Sequence, residues 1–207
     1  MPTDLVPRRI SDDVFEYAVE SSSAAQSLVA QLRSLSVAED VVAGLKTVCI
    51  HFDPLNLVSV EAALAKIDRV EPMPLADMSI VELSMRYGDE YGPDLSTICE
   101  ATGLSVSAFI DLHSQLIHKV EMIGFTPGFA YMSGLPDTFA VPRLSTPRSH
   151  VAAGAVGISS DYTGVYALAG PGGWPLIGRV EDQLFEPESS TPFRLHPGQQ
   201  VRFKAVS

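Results

Sequence analysis

Cysteine is scarce in this sequence, and its two copies form no recognisable motif. Cys49 and Cys99 lie far apart, each within a largely apolar run. Neither belongs to a Cys-x-x-Cys motif, and the N-terminal residues lack the charged-then-apolar pattern of a secretory signal. We therefore expect two buried free thiols in a cytoplasmic protein, because the cytoplasm is reducing.

Metal-binding and membrane-spanning patterns are missing as well. The five histidines form no His-Glu-x-x-His motif and no cluster with cysteine. We therefore expect no metal ion bound by this chain itself. No apolar run approaches the length of about 20 residues that a transmembrane helix needs, so we expect no association with a membrane.

Basic residues are few, and their deficit excludes one class of partner. The chain has 14 lysines and arginines against 25 aspartates and glutamates, a formal net charge of −11. Binding to nucleic acid is disfavoured, because Lys and Arg supply most of the affinity for phosphate backbones. A hydrophobic content of 46% with 19% charged residues indicates a folded globular protein. Any small anionic ligand needs a local group of positive charges in so acidic a chain.

Residues 1–86 alternate helical and extended patterns. Apolar residues recur at helical spacing from Ala25 to Leu32, and again after Ser59, which is a plausible N-cap. Residues 47–52 form a short apolar run, and residues 79–87 alternate strictly between apolar and polar. This pattern predicts an N-terminal α+β sandwich of the ferredoxin-like kind.

Residues 87–207 follow a different pattern, so we place the domain boundary near residue 87. Two short helices are predicted over 92–103 and 104–115, with Gly103 ending the first and Ser105 capping the second. From Val120 onward, the chain holds 11 of its 15 glycines and 9 of its 15 prolines between short β-type runs. Frequent strands separated by turn residues predict a β-barrel or a β-sandwich.

Three arginines in the turn-rich segment are candidates for an anion-binding site. Arg143 and Arg148 each follow a proline, and Arg179 follows the Gly-Gly-Trp stretch. The planar guanidinium group matches carboxylate and phosphate geometry. We expect the three side chains to converge near the Thr163-Gly164 turn. The alternative is that they are surface residues paired with the plentiful carboxylates.

His113 has both a catalytic and a structural interpretation. It shares an apolar helical face with Val106, Phe109 and Ile110. Most histidines in such a position are core residues, and a catalytic role requires that the face open into a cleft. We expect His113 to border the arginine site and to form a hydrogen bond with a polar group.

Aromatic residues in the second half suggest a surface for a ligand or a partner. Phe125, Phe129 and Tyr131 lie in one glycine-containing segment, and Trp174 follows two further glycines. Glycine allows close approach of the backbone to a ligand, and exposed aromatic residues often anchor interfaces. No phosphate-binding P-loop and no Gly-x-Ser-x-Gly nucleophile motif is present.

Several ordered motifs in the second half are typical of one known family. The segments "MIGFTPGFAYMSGLP", "VPRLSTPRSHVAAGAVGI", "DYTGVYALAGPGGWPLIGRV" and "LHPGQQVRF" resemble the B-type subunit of 5-oxoprolinase. This family is also called allophanate hydrolase subunit 1 or the Kip-type kinase inhibitor, and it is similar to part of a carboxyltransferase domain (subdomain C and D). The resemblance implies an α+β fold in which an N-terminal domain precedes a cyclophilin-like β-barrel.

The resemblance also implies which residues form the site. It suggests catalytic roles for His113 and Arg148. It implies substrate binding by Phe125, Pro127, Gly128, Tyr131, Pro142, Arg143, Tyr162, Thr163, Gly164, Gly172, Gly173, Trp174 and Arg179. Tyr162 stands where the family usually has glutamine before Thr-Gly, which leaves the substrate open.

The function that the resemblance implies is that of an enzyme subunit. Such complexes hydrolyse ATP, with Mg bound by the complex, to phosphorylate 5-oxoproline and open it to L-glutamate. The expected partners are the C-type subunit (the subunit 2 or Kip-antagonist type), in a heterodimer or heterotetramer, and a separate A-type subunit. Two alternatives stay open: a Kip-type inhibitor of a histidine kinase, and a subunit of an allophanate or urea amidohydrolase-carboxyltransferase system.

Overall fold

The structure, a computed structural model, describes residues 5–72 and 79–206. The chain divides into two compact units, Met1–Leu75 and Ala76–Ser207. The strand Ile80–Tyr87, which we predicted as the end of the first domain, pairs with strands of the second unit. The boundary therefore precedes this strand, whereas the sequence pattern placed it after the strand.

The first unit is a small sheet with two helices. Its elements are β1 (Arg8–Arg9), β2 (Val14–Ala18), α1 (Ser22–Ser34), β3 (Asp40–Ala43), β4 (Thr47–His51) and α2 (Leu57–Leu64). The strand order is β1-β2-β4-β3, and every neighbouring pair is antiparallel. A sheet that packs against helices is the α+β arrangement that the sequence predicts for this unit.

Local capping explains where the helices of this unit begin. The Ser21 hydroxyl accepts a hydrogen bond from the amide of Ala24 at 3.2 Å and so caps α1. The predicted cap at Ser59 is wrong, because α2 starts earlier, at Leu57. A 3-10 turn over Pro54–Asn56 leads directly into α2. The side chain that caps this turn belongs to Asp53, which accepts from the amide of Leu55 at 2.9 Å.

The second unit is built around a closed β-barrel. Its elements are β5 (Ile80–Tyr87), α3 (Leu95–Thr102), α4 (Val106–Gln115), β6 (His118–Ile123), β7 (Ala130–Ser133), β8 (Arg148–Val151), β9 (Ala155–Ser159), β10 (Tyr162–Val165), β11 (Gly170–Gly172), β12 (Leu176–Val180) and β13 (Gln200–Ala205). Seven strands close the barrel in the order β10-β7-β6-β13-β5-β12-β9, and β8 and β11 form a separate two-stranded sheet. The predicted α+β class and β-barrel are confirmed.

Alternation along the strands separates the inside of the barrel from its outer wall. Leu83 and Met85 of β5 belong to a large buried cluster together with Phe203 of β13.

The caps predicted for the two helices of this unit are confirmed. Gly103 ends α3 in the left-handed conformation, with φ of 72°. The Ser105 hydroxyl accepts from the amide of Ala108 at 3.1 Å at the start of α4.

Candidate functional site

Five aromatic side chains cluster on one outer face of the barrel. They lie in a group that is distinct from the large cluster that fills the barrel interior. Phe129 is the centre of the group, and its ring contacts the rings of Tyr131, Tyr166 and Trp174 at centroid distances of 4.7, 4.9 and 5.8 Å. We call these four residues and Phe125, whose ring lies 5.6 Å from that of Phe129, the aromatic cluster.

Two glycines make room for this packing. A Cβ atom on Gly164 of β10 would lie 2.7 Å from Phe129 and 2.8 Å from Trp174. A Cβ atom on Gly172 of β11 would lie 2.5 Å from the hydroxyl oxygen of Tyr166. The aromatic rings can therefore contact the backbone only because these positions carry no side chain.

The edge of the aromatic cluster is open to solvent. Phe129, Tyr166 and Trp174 are buried, whereas Tyr131 is half-buried and Phe125 is 59% exposed. Phe125 also has a positive φ of 71°, which is unfavourable for a residue with a bulky side chain. Such strained residues concentrate at binding and catalytic sites. The cluster thus has two rings that are accessible to solvent, those of Phe125 and Tyr131, and three that are buried.

Arg143 and Arg148 lie beside the aromatic cluster. Burial raises the pKa of Tyr166, and the positive charges of Arg143 and Arg148 act in the opposite direction. Burial likewise raises the pKa of Tyr131, and the positive charge of Arg143 acts to lower it. A Cβ atom on Gly173 would lie 3.7 Å from Nε of Arg143. Two of the three predicted arginines are therefore brought together, on the face that carries Tyr166.

The two guanidinium groups differ in their partners. Nη2 of Arg148 donates to Oδ1 of Asp94 at 2.8 Å, while its Nη1 is buried without a hydrogen-bond partner among the described residues. Arg143 is exposed and forms no ion pair within residues 5–72 and 79–206. One positive charge at the edge of the aromatic cluster is thus available to an anionic ligand.

Asp94 is a site residue that the sequence pattern did not reveal. It precedes α3, yet its carboxylate makes no capping bond to that helix. Instead, Oδ2 accepts from the amide of Leu176 at 2.6 Å, while Oδ1 accepts from Arg148. Asp94 therefore ties Arg148 to the start of β12. No local motif indicates this role, because Asp94 and Arg148 are 54 residues apart in sequence.

We expect Asp94→Asn to lower the free energy of unfolding of the second unit by about 2 kcal/mol. The substitution keeps the shape of the side chain but removes the charge that Arg148 pairs with, and charge-assisted hydrogen bonds are worth roughly 1.5–3 kcal/mol. Urea unfolding followed by circular dichroism measures the change. Glu82→Gln is the matched control, because its pair with Arg202 is long (3.8 Å) and exposed. Equal stabilities of the two variants would contradict the assigned role.

Arg179 lies apart from the other two arginines, so the prediction that all three converge is wrong. It is exposed on β12 and lines a cavity with Arg86 and Tyr91, to which neither Arg143 nor Arg148 contributes. The physical reason is the pairing of β12. Arg179 stands opposite Arg86 of β5 and Ala155 of β9, so its position on the barrel wall is set by strands on which the other two arginines do not lie.

His113 does not border a cleft, contrary to our expectation. It is completely buried between aromatic rings, and the ring of Phe203 lies 5.2 Å from its own. Its Nδ1 is 2.7 Å from the hydroxyl oxygen of Tyr87, so the predicted hydrogen bond to a polar group is present. Burial lowers the pKa of His113 well below its ordinary value and raises that of Tyr87, so both groups are neutral. The structure supports the core interpretation.

A second histidine lies against the first. The ring centroid of His118 is 5.1 Å from that of His113, and both residues are fully buried. Nδ1 of His118 donates to the carbonyl of Ser133 at 3.3 Å. Burial lowers the pKa of His118 to about 4. Neither Nε2 atom has a hydrogen-bond partner among the described residues. The barrel core therefore contains two buried polar atoms whose hydrogen-bonding capacity is unsatisfied.

The predicted Thr163-Gly164 turn lies within strand β10, so it is not a turn, and only Gly164 of the two residues packs against the aromatic cluster. Thr163 is buried, and its hydroxyl donates to the carbonyl of Gly157 at 3.3 Å, so it does not face the cluster. Tyr162 is half-buried, and its pKa is raised first by burial and then by the charges of Asp161 and Glu121.

The remaining predicted residues belong to loops. Pro127 and Pro142 are not buried. Gly128 has a positive φ of 78°, and a Cβ atom at this position would lie 2.8 Å from that of Ala167. The loop therefore needs glycine here for its conformation and for its packing.

Neither a metal site nor a single membrane-spanning helix is found in the described part of the chain. No three His, Cys, Asp or Glu side chains of residues 5–72 and 79–206 come together as potential metal ligands. Within the same residues, no single helix is long and apolar enough to cross a membrane. Only α3 and α4 taken together, with a bend of 93° between them, reach that length and composition.

The fold and the site define the class of this protein. It is an α+β protein in which a closed seven-stranded barrel carries a cluster of aromatic side chains with two arginines beside it. Residues 10–195 match the family described as carboxyltransferase domain, subdomain C and D. The chain belongs to this family, which confirms the resemblance seen in the sequence.

Curated relatives carry a more specific name. The chain is 45% identical over 123 residues to the B-type subunit of 5-oxoprolinase from Escherichia coli O157:H7, a match covering 59% of this chain and 56% of the relative. It is 42% identical over 128 residues to the same subunit of Bacillus subtilis (strain 168), covering 62% and 53%. The matches thus span little more than half of the length of these relatives.

Solved structures show the same fold. The crystal structure of TTHA0988 matches with a TM-score of 0.79 and 29% identity, over 94% of this chain and 40% of that one. The urea carboxylase of Kluyveromyces lactis matches with a TM-score of 0.72 over 98% of this chain and 22% of that one. At 18% identity, the second match shows a shared fold alone.

Proposed function

We propose that this chain acts as the B-type subunit of an ATP-dependent 5-oxoprolinase. In this role it works with the C-type and A-type subunits to phosphorylate 5-oxoproline and open it to L-glutamate. The observation that carries the proposal is the identity of 42–45% with curated proteins that bear this name. The alternative urea pathway has weaker support, since the urea amidolyase of Saccharomyces cerevisiae matches over 33% of this chain at 36% identity.

The aromatic cluster has the chemistry that 5-oxoproline requires. This substrate is a five-membered lactam ring with one carboxylate. The exposed part of Phe125 and the half-buried ring of Tyr131 offer an apolar surface for the ring. The guanidinium group of Arg143, which lies near Tyr131, offers a partner for the carboxylate.

The proposed reaction needs such positive charges. A lactam is a resonance-stabilised amide, so its carbonyl carbon reacts slowly with water. Transfer of the γ-phosphoryl group of ATP to the lactam oxygen releases ADP and activates that carbon. Water then adds to it and the ring C–N bond breaks, which leaves an acyl phosphate that a second water hydrolyses to glutamate and phosphate. Arginines stabilise the negative charge that develops on a transferred phosphoryl group. Mg bound by the complex accompanies ATP in this proposal.

The open edge of the aromatic cluster suggests that the site is completed by another chain. Phe125 is 59% exposed in a strained conformation, and Arg143 is exposed near Tyr131 of the same cluster. Exposed aromatic and arginine residues are the usual anchors of protein interfaces. We therefore propose that this face is covered by the C-type subunit, and that the isolated chain has no appreciable activity.

Reconstitution tests the proposed function directly. The purified chain is mixed with the C-type and A-type subunits of the same enzyme system, and glutamate release from 5-oxoproline is followed with and without ATP. We expect ATP-dependent glutamate release only from the complete mixture. We also expect this chain and its C-type partner to form a complex that buries more than about 1,000 Å² in total. Parallel reactions that omit each protein in turn are the controls.

Two outcomes would contradict this proposal. One is turnover of ATP and 5-oxoproline by this chain alone, at a rate that the other two proteins do not change. The other is a complete mixture that forms the complex but releases no glutamate. In that second case, inhibition of histidine kinase autophosphorylation by the chain would favour the Kip-type alternative.

A further inference from the structure

A second group of positive charges lies on the outer wall of the barrel. Arg86 of β5 and Arg179 of β12 stand directly opposite each other in an antiparallel pair. Like charges at directly opposite positions repel each other and destabilise a sheet. The arrangement therefore needs negative charge nearby, either from the chain or from a ligand.

Arg86 is neutralised by the chain itself. Its Nε donates to Oε1 of Glu181 at 2.6 Å, and its guanidinium carbon lies 5.7 Å from the ring centre of Tyr91. The hydrogen bond to Glu181 and the negative charge of that carboxylate raise the pKa of Arg86. Arg86 is thus held in one place by an ion pair and a cation–π contact.

Asp182, the second carboxylate that lines the same cavity as Arg179, is also occupied, so it does not pair with Arg179. Oδ2 of Asp182 accepts from the amide of Ser84 at 2.9 Å, and Oδ1 pairs with Arg194 at 2.9 Å. Arg179 forms no ion pair with any carboxylate in residues 5–72 and 79–206. Each of the two acidic side chains is therefore matched by an arginine other than Arg179. Arg179 is thus an arginine of this wall without an ion pair, in a chain whose net charge is −11.

A cavity of about 600 Å³ opens at these residues. Its volume falls in the range of small-molecule sites, roughly 300–1,000 Å³. Its lining includes the charged side chains of Arg86, Arg179, Glu181 and Asp182 and the aromatic side chain of Tyr91. None of the five residues of the aromatic cluster lines this cavity. It is therefore separate from the site described above.

We propose that this cavity binds a small organic anion, with a phosphate or carboxylate group on Arg179. Arg179 favours an anion, because its guanidinium group has no ion pair within the described residues while its neighbour Arg86 is paired with Glu181. The proposal does not rest on the 5-oxoprolinase function, since it uses residues outside the aromatic cluster. Phosphate and carboxylate share the chemistry that the guanidinium group recognises.

Calorimetric titration of the full chain at low ionic strength tests the proposal. The probes are inorganic phosphate, ADP and acetate, which separate a phosphate source from a carboxylate source. We expect at least one probe to bind, and we expect Arg179→Gln to weaken its binding by about 10-fold or more. Glu181→Gln should strengthen the binding, because it frees the charge of Arg86. Lys204→Gln, an exposed change of the same charge outside the cavity, should have little effect.

The variants also separate this cavity from the aromatic cluster. Binding that Arg143→Gln leaves unchanged and Arg179→Gln weakens supports the proposal. Binding that is lost in Arg143→Gln but retained in Arg179→Gln would assign the anion to the aromatic cluster and overturn it. The absence of binding of all three probes at millimolar concentration would overturn it too. So would weaker binding in both Arg179→Gln and Glu181→Gln, because charge could not then explain the change.

Discussion

Acidification from pH 7 to pH 4 is expected to destabilise the barrel-containing unit by about 3 kcal/mol through His118 alone. Its pKa is about 4 in the folded protein, because burial disfavours the charged imidazole, and about 6.5 in an unfolded chain. The neutral form is the one that the fold accepts. The neutral His118 side chain therefore makes its full contribution to the free energy of unfolding above pH 6.5. This contribution is lost as the pH falls from 6.5 to 4. His113, whose pKa is also lowered by burial, acts in the same direction.

Urea unfolding measured at a series of pH values tests this expectation. The variant His118→Phe should lose stability less steeply between pH 6.5 and 4 than the unchanged protein, whatever its stability at pH 7. His150→Gln is the matched control, since it removes one exposed histidine outside the buried pair. Parallel slopes for the unchanged protein and His118→Phe would show that burial does not hold His118 neutral.

The second large effect is expected in the activity of the complete complex. Arg143→Gln should lower kcat/KM for 5-oxoproline by about 10- to 100-fold, because a charge-assisted hydrogen bond to a carboxylate is worth roughly 1.5–3 kcal/mol. If Arg143 binds the substrate carboxylate equally in the ground state and the transition state, the loss appears mainly in KM. Initial rates of glutamate release at several substrate concentrations separate the two parameters.

Two controls make this measurement specific to the aromatic cluster. Lys204→Gln removes one positive charge elsewhere on the barrel, so it should leave kcat/KM unchanged. Size-exclusion chromatography of each variant with the C-type partner separates a loss of substrate binding from a loss of the complex. An Arg143→Gln complex that forms normally and keeps the full kcat/KM would remove Arg143 from the site.

Local sequence signals were sufficient for the elements that depend on neighbouring residues. Ser105 and Gly103 predicted helix limits because their effects, a side-chain cap and a left-handed backbone, act within one turn. The alternation in residues 79–87 predicted a strand with Leu83 and Met85 on its buried face. The glycine- and proline-rich composition of the last 88 residues indicated a barrel or sandwich, because turn residues mark where short strands end.

The place of that strand in the fold depended on distant residues. β5 pairs in parallel with β13 over Gln200–Ala205, at the other end of the second unit, and in antiparallel with β12. The sequence of residues 79–87 does not indicate these partner strands. Alternation shows which face of a strand is buried, but it does not show which strand pairs with it. The strand was therefore assigned to the wrong side of the domain boundary.

By itself, the sequence determined the family, the α+β class, the end of α3, the start of α4 and the residue types available for binding an anion. Only the tertiary structure decided how those residues are grouped. In the folded chain, Arg143 and Arg148 lie near Tyr166, and Arg148 forms a hydrogen bond with Asp94. Arg179 lies opposite Arg86, and His113 is buried in the core. The physical reason is that strand pairing and barrel closure join positions far apart in the chain, whereas motifs and periodicity report only on neighbours.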